Sequence, residues 1–408
     1  MKKYDLIVVG GGISGVAAAV CAAREGLDVL LIEKCGALGG AMTQALVFPY
    51  MQFTANKGSK ILSDGIFTEI RKRHAAYNDP SWEAYRFVFD DMVNEAGVEV
   101  LFHADVFKVE HSGRKIDGIS VTCRSQILSF TADYYIDATG DGNLFAMAGC
   151  DFQLGRESDG YTQPMTTCFR LGNVDTKMYH EENEKIQQLY NQFQKENKIK
   201  NPRENILSML GLGKGIVHFN TTRIVKLDPT DPYDITKAEM LARKQIAEMV
   251  DFLKNNTVTF KDCFIISIAS EIGIRESRKL KGEHILTADE LMNLTPFEDS
   301  IALGNYDIDI HNPTGSGTYI YEFRDCDYYR IPYRSLVPKE YDNMLVAGRC
   351  LSATHEAQAA VRIMPICATL GQAAGTAIAV AVKSGADVHT LDVKELQRVL
   401  VKNGAAID

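Results

Sequence analysis

The chain has 408 residues, 46% of them hydrophobic, so it is long enough to bury a large core and to form more than one domain. Its formal net charge of −9 provides no basic field for nucleic acid or for an anionic membrane surface. This composition excludes a strongly basic nucleic-acid-binding protein and favours small-molecule partners.

The chain opens on a pattern of strand, tight turn and helix. Residues 4–9 are apolar, Gly10, Gly12 and Gly15 follow, and residues 16–24 have helical composition. Glycines let backbone N–H groups approach a pyrophosphate, and the N-terminus of the following helix adds partial positive charge. Glycine-rich turns also join ordinary strands to helices, so the turn alone is weak evidence.

The second predicted strand, residues 27–32, supplies further context. It ends at Glu33, about 20 residues after the glycine turn, where a carboxylate can bind the two hydroxyls of an adenosine ribose. Strand, turn, helix and acid together predict a dinucleotide-binding domain. They do not separate NAD from FAD.

Two later segments also end a predicted strand in glycine. Residues 134–142 form a β-rich run that ends in small residues, and residues 343–349 form a buried strand that stops at Gly348. Small residues at a strand end let the backbone pass close to a ligand. At these three segments the chain resembles the glutathione-reductase-like flavoproteins, whose FAD domain uses all three.

The chain is most similar to a bacterial family of FAD-dependent oxidoreductases, and the similarity runs nearly from end to end. It is more distantly similar to the flavoprotein of fumarate reductase and to heterodisulfide reductase. The motifs that carry the family resemblance lie in residues 39–43, 137–141, 273–278, 331–336, 346–349 and 371–375.

The resemblance implies noncovalent FAD held by residues from each of these glycine-containing segments. The pyrophosphate lies at the first turn, the ribose at Glu33, and the adenine beside the backbone of Val106. The implied cofactor residues, in chain order, are Gly10, Gly12, Ile13, Ser14, Gly15, Glu33, Lys34, Gly39, Gly40, Ala41, Thr43, Val106, Ala138, Thr139, Gly140, Asp141, Gly348, Arg349, Met364 and Ile366.

The predicted fold class is α/β, with a Rossmann-like FAD-binding domain of the glutathione-reductase-like type and an inserted α+β substrate domain. Because cofactor segments lie at both ends of the chain, we expect a discontinuous FAD domain of residues 1–155 and 326–385. Residues 156–325 form the predicted insertion, and residues 386–408 form a C-terminal helix or tail.

Other elements follow from periodicity and composition. The predicted helices are 62–76, 82–95, 178–198 and 238–253, and the predicted strands lie within 98–121, 125–136, 217–225 and 264–269. Residues 211–215 are glycine-rich, but a strand follows them and no acid lies at the ribose-binding spacing, so we expect a loop.

Residues 363–382 carry no charge and are long enough to cross a bilayer. Pro365, Gln372 and many small residues instead favour a helix packed inside a domain, so we expect no membrane association. If the helix begins at the flavin, as the resemblance implies, amides around Met364, Ile366 and Cys367 and the helix dipole stabilise negative charge on the reduced ring.

The nine cysteines include no C-x-x-C pair, so the sequence predicts neither an iron–sulfur cluster nor a zinc site. Cys35, just after Glu33, is interpreted as structural. The first strand is predicted almost at Met1, which leaves no room for a cleavable leader, and we expect a cytoplasmic protein.

Three clusters are candidates for catalysis. Arg275, Glu276 and Arg278 follow a predicted strand, where arginines can clamp a carboxylate or form a structural ion pair. Between the last FAD strand and the long helix, His355 is the favoured acid–base group and Arg362 a second candidate.

The third cluster is weaker and lies in the predicted insertion. His218 and Arg170 are both flanked by apolar residues, so they can reach inward from strands or be ordinary buried polar groups. Asp307, Asp309 and His311 alternate as on one strand face, but the sequence shows no further ligand for a metal.

The sequence thus predicts an FAD-dependent oxidoreductase that moves a hydride between flavin N5 and a small polar molecule, for which the arginines favour a carboxylate. A flavin-binding subunit that passes electrons to a partner protein stays open. An FAD-dependent nucleic-acid modification enzyme is disfavoured by the acidic charge. The oligomeric state is not predicted.

Overall fold

The computed structural model describes residues 2–79 and 81–408. Its helices alternate with strands through most of the chain. The α-helices, in chain order, are α1 (Ile13–Arg24), α2 (Ile66–Ala76), α3 (Ala84–Ala96), α4 (Asn143–Met147), α5 (Thr176–Lys195), α6 (Pro232–Asn256), α7 (Ala288–Met292), α8 (His355–Val361), α9 (Met364–Ser384) and α10 (Val393–Lys402). A short 3₁₀ helix covers Tyr333–Leu336.

The strands are short, apart from a few in the first half of the chain. They are β1 (Lys3–Val9), β2 (Val29–Ile32), β3 (Thr54–Ala55), β4 (Lys60–Ile61), β5 (Glu99–Leu101), β6 (Ala104–Ser112), β7 (Lys115–Cys123), β8 (Gln126–Asp137), β9 (Phe152–Leu154), β10 (Phe169–Gly172), β11 (Ser208–Met209), β12 (Val217–Phe219), β13 (Phe264–Ile268), β14 (Arg278–Leu280), β15 (Ser300–Gly304), β16 (Ile308–His311), β17 (Thr318–Tyr321), β18 (Tyr329–Pro332) and β19 (Met344–Val346).

The main sheet contains a parallel core. Strands β5, β2, β1 and β8 lie side by side in that order and run parallel, and β19 pairs with the last residues of β8. The first half of β8 instead pairs antiparallel with β7, and β7 with β6. Because β2 and β19 are apolar and buried along their whole length, they fit the interior of a parallel sheet. This is the predicted Rossmann-like α/β arrangement.

Helices α1 and α9 pack closely against each other on this sheet. An ideal Cβ on Gly371 falls 2.1 Å from the carbonyl oxygen of Ser14, and one on Gly375 falls 2.1 Å from that of Ala18. Only glycine permits this backbone approach. The two glycines therefore set the distance between the helices.

Helix α9 has 21 residues and is long and apolar enough to cross a membrane, yet 94% of its most apolar 18-residue stretch is buried inside the protein. It is packed as a core helix, and its first turn lies at the carboxyl edge of the sheet, where it contacts Ser14. The predicted packing of residues 363–382 inside a domain accords with this burial.

A second, four-stranded sheet lies in the middle of the chain, in the antiparallel order β11, β12, β10, β13. Phe169, Leu171 and Phe219 project from one face into a core with α5 and α6. Arg170 and His218 project from the other face, because neighbouring residues alternate along a strand.

The predicted division into domains stays a prediction, although the packing shows how the two parts meet. Leu286, Leu291 and Ile301, inside the predicted insertion 156–325, belong to the same core as α1 and α9. The chain therefore returns to the main sheet before residue 326. Helix α10, in the predicted tail, packs on α9.

The predicted helices and strands are present, but their first and last residues differ from the prediction. The helix expected over 238–253 starts earlier, at Pro232, because Asp231 caps it and proline suits the first turn. The strand expected over 217–225 stops at Phe219, and the segment after it bonds to Thr166 and to Gln245 of α6. Residues 211–215 form the expected loop.

We predict that Gly375→Ala destabilises the protein by about 1–3 kcal/mol, because the added methyl group collides with the backbone of Ala18. Helix propensity alone predicts the opposite sign, since alanine is about 1 kcal/mol better than glycine within a helix. Urea denaturation measures the difference. Gly315→Ala is the control, because its Cβ meets no described atom within 4 Å. A Gly375→Ala variant as stable as the parent would contradict the packing argument.

Candidate functional site

The carboxyl ends of four parallel strands meet at one edge of the main sheet. Val9 of β1 lies beside Ile32 of β2 and beside Asp137 of β8, and Asp137 lies beside Val346 of β19. The first glycine turn, Glu33 and the segments after residues 137 and 346 are thereby brought together. Ligands of open parallel sheets bind at this edge.

The first glycine turn is tightly packed on one side and open on the other. An ideal Cβ on Gly10 falls 2.5 Å from the Ala138 carbonyl oxygen, and one on Gly15 falls 1.7 Å from that of Gly10. A Cβ on Gly12 meets none of the described atoms within 4 Å. The backbone at the start of α1, including Ile13, therefore borders free space beside Gly12.

The carboxylate of Glu33 is held at this turn. It accepts hydrogen bonds from the amides of Gly11, at 2.5 Å, and Cys35, at 2.7 Å. Each carboxylate oxygen can accept further bonds. Glu33 is thus fixed in the position that the sequence assigned to ribose binding.

The glycine doublet reaches the same place from the next loop. The amide of Gly39 donates to Gly11 at 2.8 Å, and an ideal Cβ on Gly40 falls 3.0 Å from Cα of Gly12. Ala41 is exposed, whereas the Thr43 hydroxyl is buried and donates to Leu38. Thr43 therefore shapes this loop with its side chain.

Lys34 and Val106 lie farther along the edge. The Lys34 ammonium is 3.0 Å from the Glu271 carboxylate, so this side chain joins the sheet edge to the middle part of the chain. Val106 is buried on β6, whose first residue Ala104 bonds to the backbone of Glu33. The backbone of β6 is thus next to Glu33, the predicted ribose-binding residue.

A buried carboxylate organises the loop after β8. Asp137 accepts bonds from the amides of Thr139, at 3.0 Å, and Phe145, at 2.9 Å, and from the Thr139 hydroxyl, at 2.7 Å. Burial nevertheless raises the pKa of Asp137. The Arg349 guanidinium bonds to the Gly140 carbonyl and to the Asp141 carboxylate. Arg349 therefore clamps the loop of residues 138–141 to the end of β19.

The start of α9 joins this edge through Ser14, whose hydroxyl donates to the Cys367 carbonyl at 2.8 Å. Gly348 passes so near that an ideal Cβ falls 2.7 Å from that hydroxyl. Met364 and Ile366 lie in the first turn of α9. The amide of Cys367 donates to the Ile363 carbonyl, so the expectation that this amide stabilises negative charge on the reduced ring is wrong.

Beside this edge lies a buried network of three ionisable side chains. The His355 Nδ1 atom is 2.7 Å from the Glu276 carboxylate, and the Lys279 ammonium is 2.5 Å from it. Gln163 adds a backbone amide to the same carboxylate at 3.0 Å. Burial opposes the ionised form of Glu276, but the hydrogen bonds and charges of His355 and Lys279 outweigh it and lower its pKa.

The orientation of His355 follows from this pairing. It begins α8, where Thr354 caps the helix, and Nδ1 faces Glu276. When Glu276 accepts the Nδ1 proton, the acceptor lone pair of the neutral ring is on Nε2. Within residues 2–79 and 81–408, Nε2 makes no hydrogen bond.

The predicted arginines do not all reach the same place. Arg278 donates to the Asp141 carbonyl and to Asn143, so it supports the loop after β8. Arg275 lies elsewhere and donates to the Pro164 carbonyl at 2.6 Å. Arg362 lies 3.8 Å from Asp309. The interpretation of Arg275 and Arg278 as one clamp is therefore wrong, and Arg275 is grouped with Arg362 instead.

A cluster of four arginines surrounds His311. Burial, then the charges of Arg275, Arg362, Arg203 and Arg223, lower the pKa of His311. Burial, then the charges of Arg362 and Arg203, also lower the pKa of Arg275, to about 9. Two acids accompany the arginines, since Glu204 pairs with Arg223 and Asp309 with Arg362.

Guanidinium groups thus outnumber carboxylates in the described part of this cluster. An isolated buried charge costs several kcal/mol. An anionic ligand would offset the excess positive charge.

The sequence prediction missed Lys279, Arg203 and Arg223. Lys279 follows Glu276 by three residues, but the segment is not helical, so this spacing gives no signal for the ion pair. Arg203 and Arg223 have no local pattern that points to a site. In the described ranges no group of three or more His, Cys, Asp or Glu side chains could hold a metal ion, and Asp309 and His311 form only a pair.

Comparison with known families identifies the chain. The family described as FAD dependent oxidoreductase matches residues 5–400. The chain belongs to this family. The protein is therefore an enzyme, and its cofactor is FAD.

Curated relatives of this FAD-dependent oxidoreductase include archaeal enzymes. Digeranylgeranylglycerophospholipid reductase of Methanocella arvoryzae is 37% identical over 116 residues, 24% of this chain and 29% of that protein. The enzyme of the same name from Thermoplasma volcanium is 28% identical over 158 residues, 34% of this chain and 40% of that protein. The matches span less than half the length of either relative.

Solved structures align with most of the chain at low identity. A geranylgeranyl bacteriochlorophyll reductase-like protein from Thermoplasma acidophilum is 13% identical, with a TM-score of 0.48 over 99% of this chain and 85% of that one. The flavin-dependent brominase Bmp2 is 14% identical, with a TM-score of 0.48 over 98% and 83%. None of these findings supports the suggested likeness to glutathione-reductase-like flavoproteins, fumarate reductase or heterodisulfide reductase.

The residues present fit FAD. The free space beside Gly12 lies at the N-terminus of α1, where backbone amides and the helix dipole favour a pyrophosphate. Glu33 supplies the hydrogen-bond acceptor that ribose hydroxyls require. The assignment of individual residues to FAD stays a prediction.

We predict that Gly12→Ala lowers FAD affinity about tenfold or more without unfolding the protein. The added methyl group occupies the free space at the helix start, and the Gly12 φ of −65° is compatible with alanine. The flavin-to-protein absorbance ratio measures the loss, and Gly315→Ala serves as the control. Full flavin content in Gly12→Ala would refute the placement of the pyrophosphate.

We predict that Glu276→Gln destabilises the protein by about 3–5 kcal/mol at pH 7, because Lys279 is left buried without its carboxylate. The lowered pKa of Glu276 contributes stability that is present above pH 4.5 and is lost as the pH falls through the folded pKa. The variant should therefore lose less stability between pH 7 and pH 4 than the parent. Denaturant titrations at several pH values measure this, with the exposed pair variant Glu395→Gln as control. Parallel pH profiles would contradict the prediction.

Proposed function

We propose that the enzyme transfers a hydride between FAD and a small carboxylate-bearing substrate, with His355 as the proton-transfer group. The observation that supports the proposal most strongly is the excess of buried guanidinium groups around His311, close to the residues that hold His355. Charged groups of this kind recognise carboxylates through bidentate hydrogen bonds.

Bound FAD supplies the hydride acceptor or donor. Arg275 and Arg362 bind the substrate carboxylate and orient the reacting carbon. Arg275 is connected to His355 through α8. Gln358 on this helix donates to the Arg275 carbonyl at 3.0 Å, and His355 is the first residue of the same helix. Substrate orientation and proton transfer are thus carried by neighbouring residues.

His355 transfers the proton through Nε2. Glu276 accepts from Nδ1 and holds the ring in the tautomer that leaves Nε2 as base in the oxidation direction. In the reduction direction the protonated ring returns the proton. Lys279 stabilises the Glu276 carboxylate, so the carboxylate keeps its charge while the ring changes protonation state.

The archaeal relatives are named as reductases of digeranylgeranylglycerophospholipids. A hydrocarbon chain beside the arginines would leave them unpaired, so the arginines favour the anionic part of a substrate at this position. The remaining alternative is a flavin-binding subunit that exchanges electrons with a partner protein. That alternative predicts slow reduction by every small molecule.

We predict that His355→Gln slows anaerobic flavin bleaching about 10²–10⁴-fold with a substrate found by screening hydroxy acids, amino acids and unsaturated acids. Flavin content should be unchanged, and the pH dependence of the rate should flatten. Arg362→Gln should chiefly raise KM for the same acid. His180→Gln, an exposed histidine on α5, is the control. Equal rates for His355→Gln and the parent would refute the role of His355, and bleaching only with an added protein would favour the electron-transfer alternative.

A further inference from the structure

A row of side chains crosses the four-stranded sheet on the face opposite α5 and α6. Met209, His218, Arg170 and Ser267 lie on adjacent strands in register. Side chains directly opposite each other in an antiparallel sheet share a face. The row is separate from the arginine cluster around His311.

Arg170 leaves one edge of its guanidinium without a partner. Its Nη1 atom donates to Glu83 at 2.8 Å, and the side chain is 8% exposed. The Nε and Nη2 atoms are buried and have no hydrogen-bond partner among the described residues. These two atoms form a side-on donor pair, which matches the two oxygens of a carboxylate.

His218 lies directly beside Arg170 and is equally unsatisfied. It is fully buried, and neither ring nitrogen has a partner in the described parts of the chain. Burial, then the charge of Arg170, lower its pKa to about 3, so the ring is neutral at physiological pH. It offers one donor and one acceptor.

Aromatic rings cover the row from the side of the main sheet. The ring centroid of Phe48 lies 5.6 Å from that of His218 and 4.8 Å from that of Trp82. Tyr50 stacks obliquely on Trp82 at 4.8 Å. The Trp82 indole N–H is a further buried donor without a described partner.

Each buried polar group without a partner costs about 1–3 kcal/mol. Several such groups lie on one surface, and most of them are donors. This arrangement indicates that a ligand oxygen accepts their hydrogen bonds. The unpaired edge of Arg170, and the aromatic rings beside His218, specify the ligand further.

We propose that the row of Arg170 and His218, with Phe48 and Trp82, is a binding site for a carboxylate attached to a planar apolar body. The carboxylate bonds to Nε and Nη2 of Arg170, and His218 donates to the same group. The planar body packs edge-to-face on Phe48 and Trp82. This proposal is independent of hydride transfer, since it concerns binding alone.

Isothermal titration calorimetry of the holoenzyme with benzoate tests the site, with benzamide as the neutral analogue. Benzoate is expected to bind at least about tenfold more tightly than benzamide, and Arg170→Gln is expected to remove most of that difference. Trp82 is the single tryptophan of the chain, so a change of its fluorescence on titration locates the ligand.

Two further variants separate binding from structure. Arg170→Gln also breaks the ion pair with Glu83, so Glu83→Gln is the matched control that breaks the pair but keeps the arginine. Benzoate affinity should be kept or increased in Glu83→Gln. Arg362→Gln should leave the Trp82 fluorescence response to benzoate unchanged, because Arg362 belongs to the other cluster.

The proposal is overturned by any of several results. These are no benzoate binding, equal affinity for benzoate and benzamide, equal loss of affinity in Arg170→Gln and Glu83→Gln, or loss of affinity in Arg362→Gln with Arg170→Gln unaffected. The last result would place benzoate in the arginine cluster and would leave the proposed hydride transfer intact.

Discussion

Close backbone contact at the start of α1 is the constraint on which the rest of the site depends. Ser14 is enclosed by Gly348 and Gly371, and Gly15 lies against the carbonyl of Gly10. A Cβ at Gly348 or at Gly371 would separate elements that come from distant parts of the chain. This contact holds the glycine turn, the end of β19 and the first turn of α9 at one edge of the sheet. The cofactor site is therefore a product of helix packing as much as of the glycine motif.

The parts of the site that could be predicted from sequence are those that depend on interactions between residues close together in the chain. A glycine turn, a ribose-binding acid and a strand-end glycine each need only a few neighbouring residues, so the sequence predicts Gly12, Glu33 and Gly348, which lie at the same edge. The network of Glu276 with His355 joins residues 79 positions apart, and no local pattern reports that contact. Arg275 and Arg278 are close in sequence, yet their side chains contact different loops. Arg275 lies at a bend, whereas Arg278 begins β14, so closeness in sequence does not make them one clamp.

The distribution of charge separates two tasks between the two sheets. At the edge of the main sheet, charged side chains have hydrogen-bond partners, since Asp137 accepts hydrogen bonds from backbone amides and Arg349 pairs with Asp141 to hold a loop. On the inner face of the four-stranded sheet and in the segments beside it, guanidinium groups exceed acids, and several polar atoms lack described partners. Polar and charged groups that have partners stabilise the fold. Buried polar groups without partners lower its stability and are retained where a ligand supplies the missing hydrogen bonds. The predicted cofactor residues accordingly lie at the first sheet, and the proposed ligand-binding residues lie on the second sheet or in the segments beside it.

Strand alternation explains how one small sheet can serve both its own core and the substrate. Phe169 and Phe219 face α5 and α6, while Arg170 and His218, one position away, face the main sheet. Asn220 continues the polar face two residues after His218 and contacts Arg275 at 3.4 Å. Asn220 lies just beyond the end of β12, so the two groups of side chains are distinct but close to each other. A one-residue shift of register would exchange the buried phenylalanines for the polar residues, so the aromatic core behind the sheet fixes which side chains are available to a substrate.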